Sequence, residues 1–243
     1  MNAQQTDPVI FRTLGSARAA FGSADIPCSS GGHPPGLTDF TTRAFPGNSA
    51  VLYGKQIHSA ISYVYSPERG RHPGKPTCVG SCDALITGTK DIVLAVQTAD
   101  CLPVALVGDR VAAVIHAGWR GLAGDILGAV TRRLRAEWGV PEDRLAAVVG
   151  IGIGRCHYVV GHEVKEALAG LETRAAGWCD GATVDLSEWA TGRLLALGLP
   201  AEQVEQLQGC TWCSPHHHSF RRDGPAAGRQ WSGICLVSED RSS

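Results

Sequence analysis

The chain has 243 residues, 44% of them hydrophobic, with a formal net charge of −1 and nine cysteines. That size suits one large domain or two small ones, and that hydrophobic content supports a packed core rather than disorder. The near-neutral balance removes the broad electrostatic attraction on which nucleic-acid and anionic-membrane binding rest, and no window approaches the roughly 20 apolar residues of a membrane span.

The amino terminus lacks a basic stretch followed by an apolar core, so no secretion leader is expected and the default compartment is the cytoplasm. Nine thiols then read as reduced cysteines, some buried and some binding metal, rather than as a disulfide framework.

Taken in order, residues 9–12 predict a short strand, and the Gly/Pro/Ser-rich residues 28–35 a loop. Residues 37–43 (LTDFTTR) predict a strand ending on Arg43 before the Pro46-Gly47 turn. Residues 51–64 are apolar and β-branched, which favours a strand carrying His58 two positions beyond Gln56. A polar, Pro/Gly-rich loop over 66–80 follows. Residues 83–87 predict a strand that opens on a carboxylate. Three more strands are expected at 92–97, 102–107 and 111–116, with a tight turn at Gly108-Asp109.

From residue 122 to 138 the period becomes helical, with Leu122, Ile126, Leu127, Val130, Leu134 and Trp138 on one side. Gly139 and Pro141 supply the stop. A buried-type strand at 145–153 leads into a glycine-rich turn, a helix starts near Gly161, and 183–186 predicts a strand. Ser187-Glu188-Trp189 opens a helix through Leu197. A weak strand at 204–207, a chemically dense loop at 209–230 and a closing strand at 231–237 complete the chain. With no repeat and no clear linker, the interleaved strands and helices indicate a single α/β or α+β domain with mixed sheets.

The reactive residues concentrate at strand ends. His58, Cys101 and His116 are a thiol and two imidazoles, the ordinary ligand types of a three-ligand catalytic zinc site. On residue type alone, a buried cysteine and two structural histidines compete with that reading. Asp100 suits a proton shuttle, an orienter of an imidazole, or a turn cap. Arg120 precedes a helix, where an anion would be favoured, but a surface arginine reads the same way. Arg221, Arg222 and Arg229 add cationic capacity in the last loop. His216-His217-His218 could ligate metal or be incidental. Cys78 and Cys82, together with Cys210 and Cys213, could make a four-cysteine zinc site, or one pair could be redox-active. No Walker pattern and no G-x-G-x-x-G register occur, and the H-x-E…P-C-x-x-C deaminase signature is missing.

The ordered set Lys55-Gln56-Ile57-His58-Ser59, Asp83-Ala84-Leu85-Ile86-Thr87, Thr98-Ala99-Asp100-Cys101-Leu102-Pro103, His116-Ala117-Gly118-Trp119-Arg120-Gly121, Tyr158-Val159-Val160-Gly161 and Arg221-Arg222-Asp223-Gly224 resembles the YfiH-type family. That family is also called the laccase-domain or multicopper polyphenol oxidase family. The resemblance covers roughly residues 38–237 and divides the chain into a variable N-terminal segment, 1–37, and the family domain, 38–243. It implies an α/β/β/α sandwich of α+β class. It also implies zinc on His58, Cys101 and His116, and phosphorolysis of purine nucleosides with adenosine deamination as a side activity. Adenosine, inosine, guanosine and methylthioadenosine are the implied substrates, with phosphate as the second. Asp100, Cys101 and Arg120 become the candidate catalytic residues, and Arg43, Gln56 and Arg222 the candidate substrate contacts. No nucleic-acid or membrane partner is expected, and the chain is expected to be a monomer or homodimer. Two alternatives are a copper-dependent polyphenol oxidase and a cysteine hydrolase with Cys101 as nucleophile and His116 as base; an interaction protein without turnover is a further one. The chain departs from the family in a short connection between Arg43 and His58, in Val159 where the family has glutamate, and in Ile151 where it has proline.

Overall fold

The alternating apolar pattern of the strands, carried into three dimensions, yields two packed sheets. In the computed structural model, residues 9–26, 34–48, 50–69 and 75–238 are described. The chain begins with β1 (Val9–Leu14), β2 (Ala17–Gly22), α1 (Leu37–Ala44), β3 (Val51–Lys55) and β4 (Ser62–Tyr65). It continues with β5 (Thr77–Ser81), β6 (Ala84–Thr87), β7 (Val93–Thr98), β8 (Leu102–Gly108) and β9 (Val111–Ala117). Then come α2 (Trp119–Ala123), α3 (Ile126–Trp138), β10 (Ala146–Val149), α4 (His162–Ala169), β11 (Cys179–Asp180) and β12 (Thr183–Val184). The last elements are α5 (Leu186–Ala196), β13 (Val204–Gln206), α6 (Phe220–Asp223) and β14 (Gln230–Leu236).

The first sheet runs β1-β2-β14-β7-β3-β5 and the second β13-β10-β8-β9-β6-β4; both mix parallel and antiparallel neighbours. Strand β7 explains the layering. Leu94 and Val96 meet Ala105, Val107, Ala112 and Val114 of the second sheet, while Val93 and Ala95 meet Leu37, Phe40 and Ala44 of α1. The outer face of the second sheet (Leu102, Val104, Leu106, Ala113, Ile115) is covered by side chains of α2, α3, α4 and α5. The result is an α+β, α/β/β/α sandwich in one domain, as the resemblance implied.

Several elements differ from expectation, each for a physical reason. Residues 37–43 form a helix, not a strand. Leu37, Phe40, Thr41 and Ala44 fall on one face and are buried, and burying Leu37 and Phe40 contributes about 1.5–3 kcal/mol each, which outweighs the β-propensity of the threonines. The strand expected over 51–64 is two strands in different sheets, separated where the chain crosses the sandwich. The helix expected over 122–138 starts at Trp119 and breaks at Asp125, whose left-handed backbone and side-chain cap on the Gly128 amide begin α3 anew. Strand β5 takes up the end of the expected 66–80 loop and continues to Ser81, and β2 has no counterpart among the expected elements. Residues 9–22 of the segment read as a variable arm form two strands of the first sheet. Most of the expected 28–35 loop, and residues 70–74 of the 66–80 loop, lie outside the described residues.

Candidate metal centre and cavity

The sheet registers gather the reactive groups at one edge of the sandwich. Strands β8 and β6 both run antiparallel to β9, with Pro103 opposite His116 and Ala84 opposite Ile115. The starts of β8 and β6 therefore lie beside the end of β9, placing Cys101 and Asp83 next to His116. Strand β4 runs parallel to β6 with Ser62 opposite Ala84, so the crossing loop carrying His58 arrives at the same edge. Pairing of Gln230 with Thr98 brings the end of the 209–230 loop there too.

One ligand atom from each of His58, Cys101 and His116 lies within 4.8 Å of the other two. The imidazole rings of His58 and His116 meet edge to face with centroids 4.9 Å apart. A Cβ on Gly118 would sit 2.9 Å from the Cys101 sulfur and 3.1 Å from the His58 ring, so glycine is what leaves room for both. His58 and Asp100 hold positive φ angles of 59° and 86°, conformations that cost energy outside glycine and cluster at functional sites.

Asp83, expected only as the first residue of a strand, organises this trio. Its fully buried carboxylate accepts hydrogen bonds from the main-chain amides of Ile57, His58 and Ser59 and from the Ser59 hydroxyl, and lies 2.9 Å from Nδ1 of His116. One side chain thus shapes the His58 loop and directs the other His116 nitrogen toward Cys101. The signal for it lies in the sequence: a carboxylate heading a strand that opens Ala84-Leu85-Ile86 needs buried partners.

The electrostatics follow from these contacts. Burial by itself would raise the Asp83 carboxyl, but the His116 imidazole and the Ser59 amide and hydroxyl hold it down to about 2. Burial would also raise the Cys101 thiol, yet His116 and His58 bring it down to about 6. For His116 burial favours the neutral ring, and Asp83 and Cys101 overcome it, raising it to about 9. At neutral pH the metal-free site therefore holds a thiolate, the ligand form of cysteine. A soft thiolate, two imidazoles and a carboxylate behind one of them fit the chemistry of a zinc site with an open fourth position.

These residues form part of the wall of a cavity of about 400 Å³. Asp100 lines it with both carboxylate oxygens engaged: Thr211 donates its hydroxyl at 2.6 Å and Arg221 its main-chain amide at 2.6 Å. Trp119, Tyr158 and Phe220 supply aromatic surface, and Arg221 and Arg229 supply cations. Burial, with Cys101 adding to it, pushes the Tyr158 hydroxyl up to about 12, so it remains a neutral donor. The guanidinium of Arg221 lies 5.2 Å over the Tyr158 ring and donates to the Val159 carbonyl.

Other expected residues fall differently. Gln56 lines the cavity, with its amide paired in both directions with the Gln97 main chain. Arg120 is exposed on α2, stacked 4.3 Å over Trp119, and does not line the cavity. Arg43 is exposed on α1 and does not line it either. Arg222 donates to the carbonyls of Thr211, Trp212, Ser214 and His217 and pairs with Asp223, so its guanidinium ties the loop together. Arg221 and Arg229, expected with Arg222 only as loop cations, line the cavity. The Cys78/Cys82 pair does not join Cys210 and Cys213; the latter two gather instead with Cys156 and His157. His216 pairs with Asp25 and His217 with Ser214, and among the described residues the histidine run belongs to neither ligand group.

Residues 12–237 match the family described as multi-copper polyphenol oxidoreductase laccase. "Adenosine deaminase RL5" from an unknown prokaryotic organism is 37% identical over 166 residues, covering 63% of this chain and 61% of that protein. A "Purine nucleoside phosphorylase" of Bacteroides thetaiotaomicron is 35% identical over 165 residues, covering 63% of this chain and 60% of that one. The match thus spans about three fifths of the length of these curated relatives. The crystal structure of Bacillus licheniformis hypothetical protein YfiH superposes with a TM-score of 0.79 at 22% identity, over 93% of this chain and 98% of that one, a likeness of fold. No helix among the described residues is long and apolar enough to cross a membrane.

Proposed function

The chain belongs to the multi-copper polyphenol oxidoreductase laccase family, of YfiH type, and from that premise we propose that it cleaves purine nucleosides with phosphate, deaminating adenosine as a side activity. The observation that carries the reading is the convergence of His58, Cys101 and His116 on a cavity also lined by Trp119, Tyr158, Phe220, Arg221, Arg229 and Asp100. The names of the two relatives, an adenosine deaminase and a purine nucleoside phosphorylase, support the same chemistry.

Zinc held by His58, Cys101 and His116 would supply a Lewis acid that polarises the oxygen of phosphate or water. The chain's own residues do the rest. Trp119 and Phe220 offer flat faces for a purine, and Arg221 and Arg229, which line the cavity, hold the phosphate anion. Glycosidic cleavage builds positive charge on the ribose and negative charge on the departing base. Asp100, held by Thr211 and the Arg221 amide, is the carboxylate we assign to relaying a proton from solvent to a purine nitrogen. Tyr158 donates a hydrogen bond without ionising.

A second reading rests on the series Asp83, His116, Cys101, the order of groups in a cysteine hydrolase. The deciding experiment measures metal content and tests adenosine, inosine, guanosine and methylthioadenosine, each with and without phosphate, in the wild type and in Cys101→Ala. Phosphate-dependent release of base, lost together with the cavity's equivalent of zinc in the variant at unchanged circular dichroism, supports the proposal. Full phosphorolysis by Cys101→Ala refutes it. Copper near one equivalent with polyphenol turnover favours the oxidase, and amide hydrolysis by zinc-free protein favours the hydrolase.

A further inference from the structure

A second group of metal-ligand side chains lies outside the cavity. One ligand atom from each of Cys156, His157, Cys210 and Cys213 lies within 4.8 Å of the other three. The Cys156 and Cys213 sulfurs are 3.5 Å apart, and Nδ1 of His157 is 3.2 Å from each of them. Ligand sulfurs on a tetrahedral zinc, at about 2.3 Å from the metal, stand about 3.8 Å from one another. Cys156, His157 and Cys213 are therefore within a few tenths of an ångström of a coordination shell, and Cys210 completes the group within 4.8 Å.

Further features match a zinc turn rather than a chance cluster. Cys210 and Cys213 span a C-x-x-C turn closed by the Ser214 amide donating to the Cys210 carbonyl. The Gly154 amide donates to the Cys210 sulfur at 3.1 Å, the bond that a ligand thiolate accepts and a neutral thiol accepts weakly. A Cβ at Gly154 would stand 3.2 Å from the Cys210 Cβ and 3.4 Å from the sulfurs of Cys156 and Cys210, so glycine allows this approach. The Trp212 ring stacks on His157 at 3.6 Å with planes 12° apart, orienting the imidazole.

We propose that Cys156, His157, Cys210 and Cys213 form a closed zinc site of three cysteines and one histidine that clips the loop after β10 to the loop after β13. Three thiolates and one imidazole fill all four positions of a tetrahedral zinc, which makes the site structural. The clip has a defined purpose in the fold. Its ligands flank Tyr158 and Thr211, one lining the cavity and the other holding Asp100, so a metal outside the cavity fixes two parts of its wall. This site does not depend on what the cavity binds.

The test uses the full chain purified without added metal. Cys101→Ala, which disables only the cavity ligands, should retain one equivalent of zinc, and Cys101→Ala with Cys213→Ser should retain none. Alkylation followed by mass mapping keeps the test open if the double variant fails to fold. Cys156 and Cys213 are exposed, as are Cys78 and Cys179. In the native protein the first two should resist iodoacetamide while the second two react, and a strong chelator should abolish the difference. Zinc-free Cys101→Ala, iron in place of zinc, equal reactivity of all four thiols before chelation, or recovery of a Cys156–Cys213 disulfide would each overturn the proposal.

Discussion

Asp83, just before β6, lies beside His116 of the antiparallel β9, with the carboxylate 2.9 Å from Nδ1 of the ring and the His116 amide donating to the Asp83 carbonyl at 2.7 Å. The pair locks one nitrogen of His116 and leaves the other for the cavity. Carboxylates behind metal-binding histidines of this kind govern affinity. Asp83→Asn should weaken zinc binding at the cavity by roughly 10–100-fold in competition with a chromogenic chelator. An unchanged affinity would show that the carboxylate merely shapes the His58 loop.

The same carboxylate makes the metal-free protein sensitive to acid. Its folded value of about 2 lies below the unfolded value near 3.9. The stabilisation, on the order of 2 kcal/mol, is present above pH ~4 and disappears as pH falls through about 2. Urea unfolding of metal-free wild type and Asp83→Asn should differ at pH 7 and converge near pH ~2. Parallel curves at every pH would remove the carboxylate from the account.

Gly118 has ordinary extended backbone, so replacing it introduces no φ strain and isolates the steric effect. In Gly118→Ala the new methyl carbon meets the Cys101 sulfur and the His58 ring. Activity and cavity zinc should both fall by an order of magnitude or more, with thermal stability close to wild type. A variant with normal zinc content and full turnover would mean that the ligands move aside at no cost.

Arg221 and Arg222 are neighbours with different assignments. Arg221→Ala should raise KM for phosphate about tenfold, the scale of one charge-assisted hydrogen bond, with little change in melting temperature. Arg222→Ala should leave KM for phosphate unchanged and instead expose the 209–223 loop to protease, because four carbonyls lose their donor. The reverse pattern would restore the substrate role first assigned to Arg222.

Asp125 starts α3 from a left-handed conformation that Asp and Asn tolerate, and it pairs with Arg193 and Arg132. Burial would raise its carboxyl, and the two arginines outweigh that and lower it. Asp125→Ala should cost about 1–2 kcal/mol at pH 7 through loss of the cap. Asp125→Asn keeps the cap and loses only the charge. Its deficit should be present above the unfolded carboxyl value of about 3.9 and vanish as pH falls below the lowered folded value, as read by chemical denaturation.

Much of the chemistry was legible in the chain itself. Cys101 and His116 are identifiable as a thiol and an imidazole at strand ends and His58 as an imidazole within an expected strand, and β7, β8 and β9 are readable from their apolar runs, since fully buried strands leave a continuous signal. What local patterns could not convey was partnership across the sandwich. Asp83 looked like a strand start because its partners lie about 25 and 33 residues away. Cys210 and Cys213 were matched with Cys78 and Cys82, yet the folded chain brings them to Cys156 and His157. Arg221 and Arg222 are indistinguishable as neighbours in a list of residues. The turn at Ser219 decides which of them faces the cavity and which is consumed by its own loop.

By itself, then, the sequence determined the inventory: which ligand types exist, which runs must be buried, and which family pattern they make. Tertiary structure alone decided the assignments: which carboxylate stands behind which imidazole, which arginines meet the cavity, and which cysteines share a site. The reason is that residue identity and periodicity are local properties. Ligand geometry depends on strand register between two sheets, which is set by packing between residues far apart in the chain.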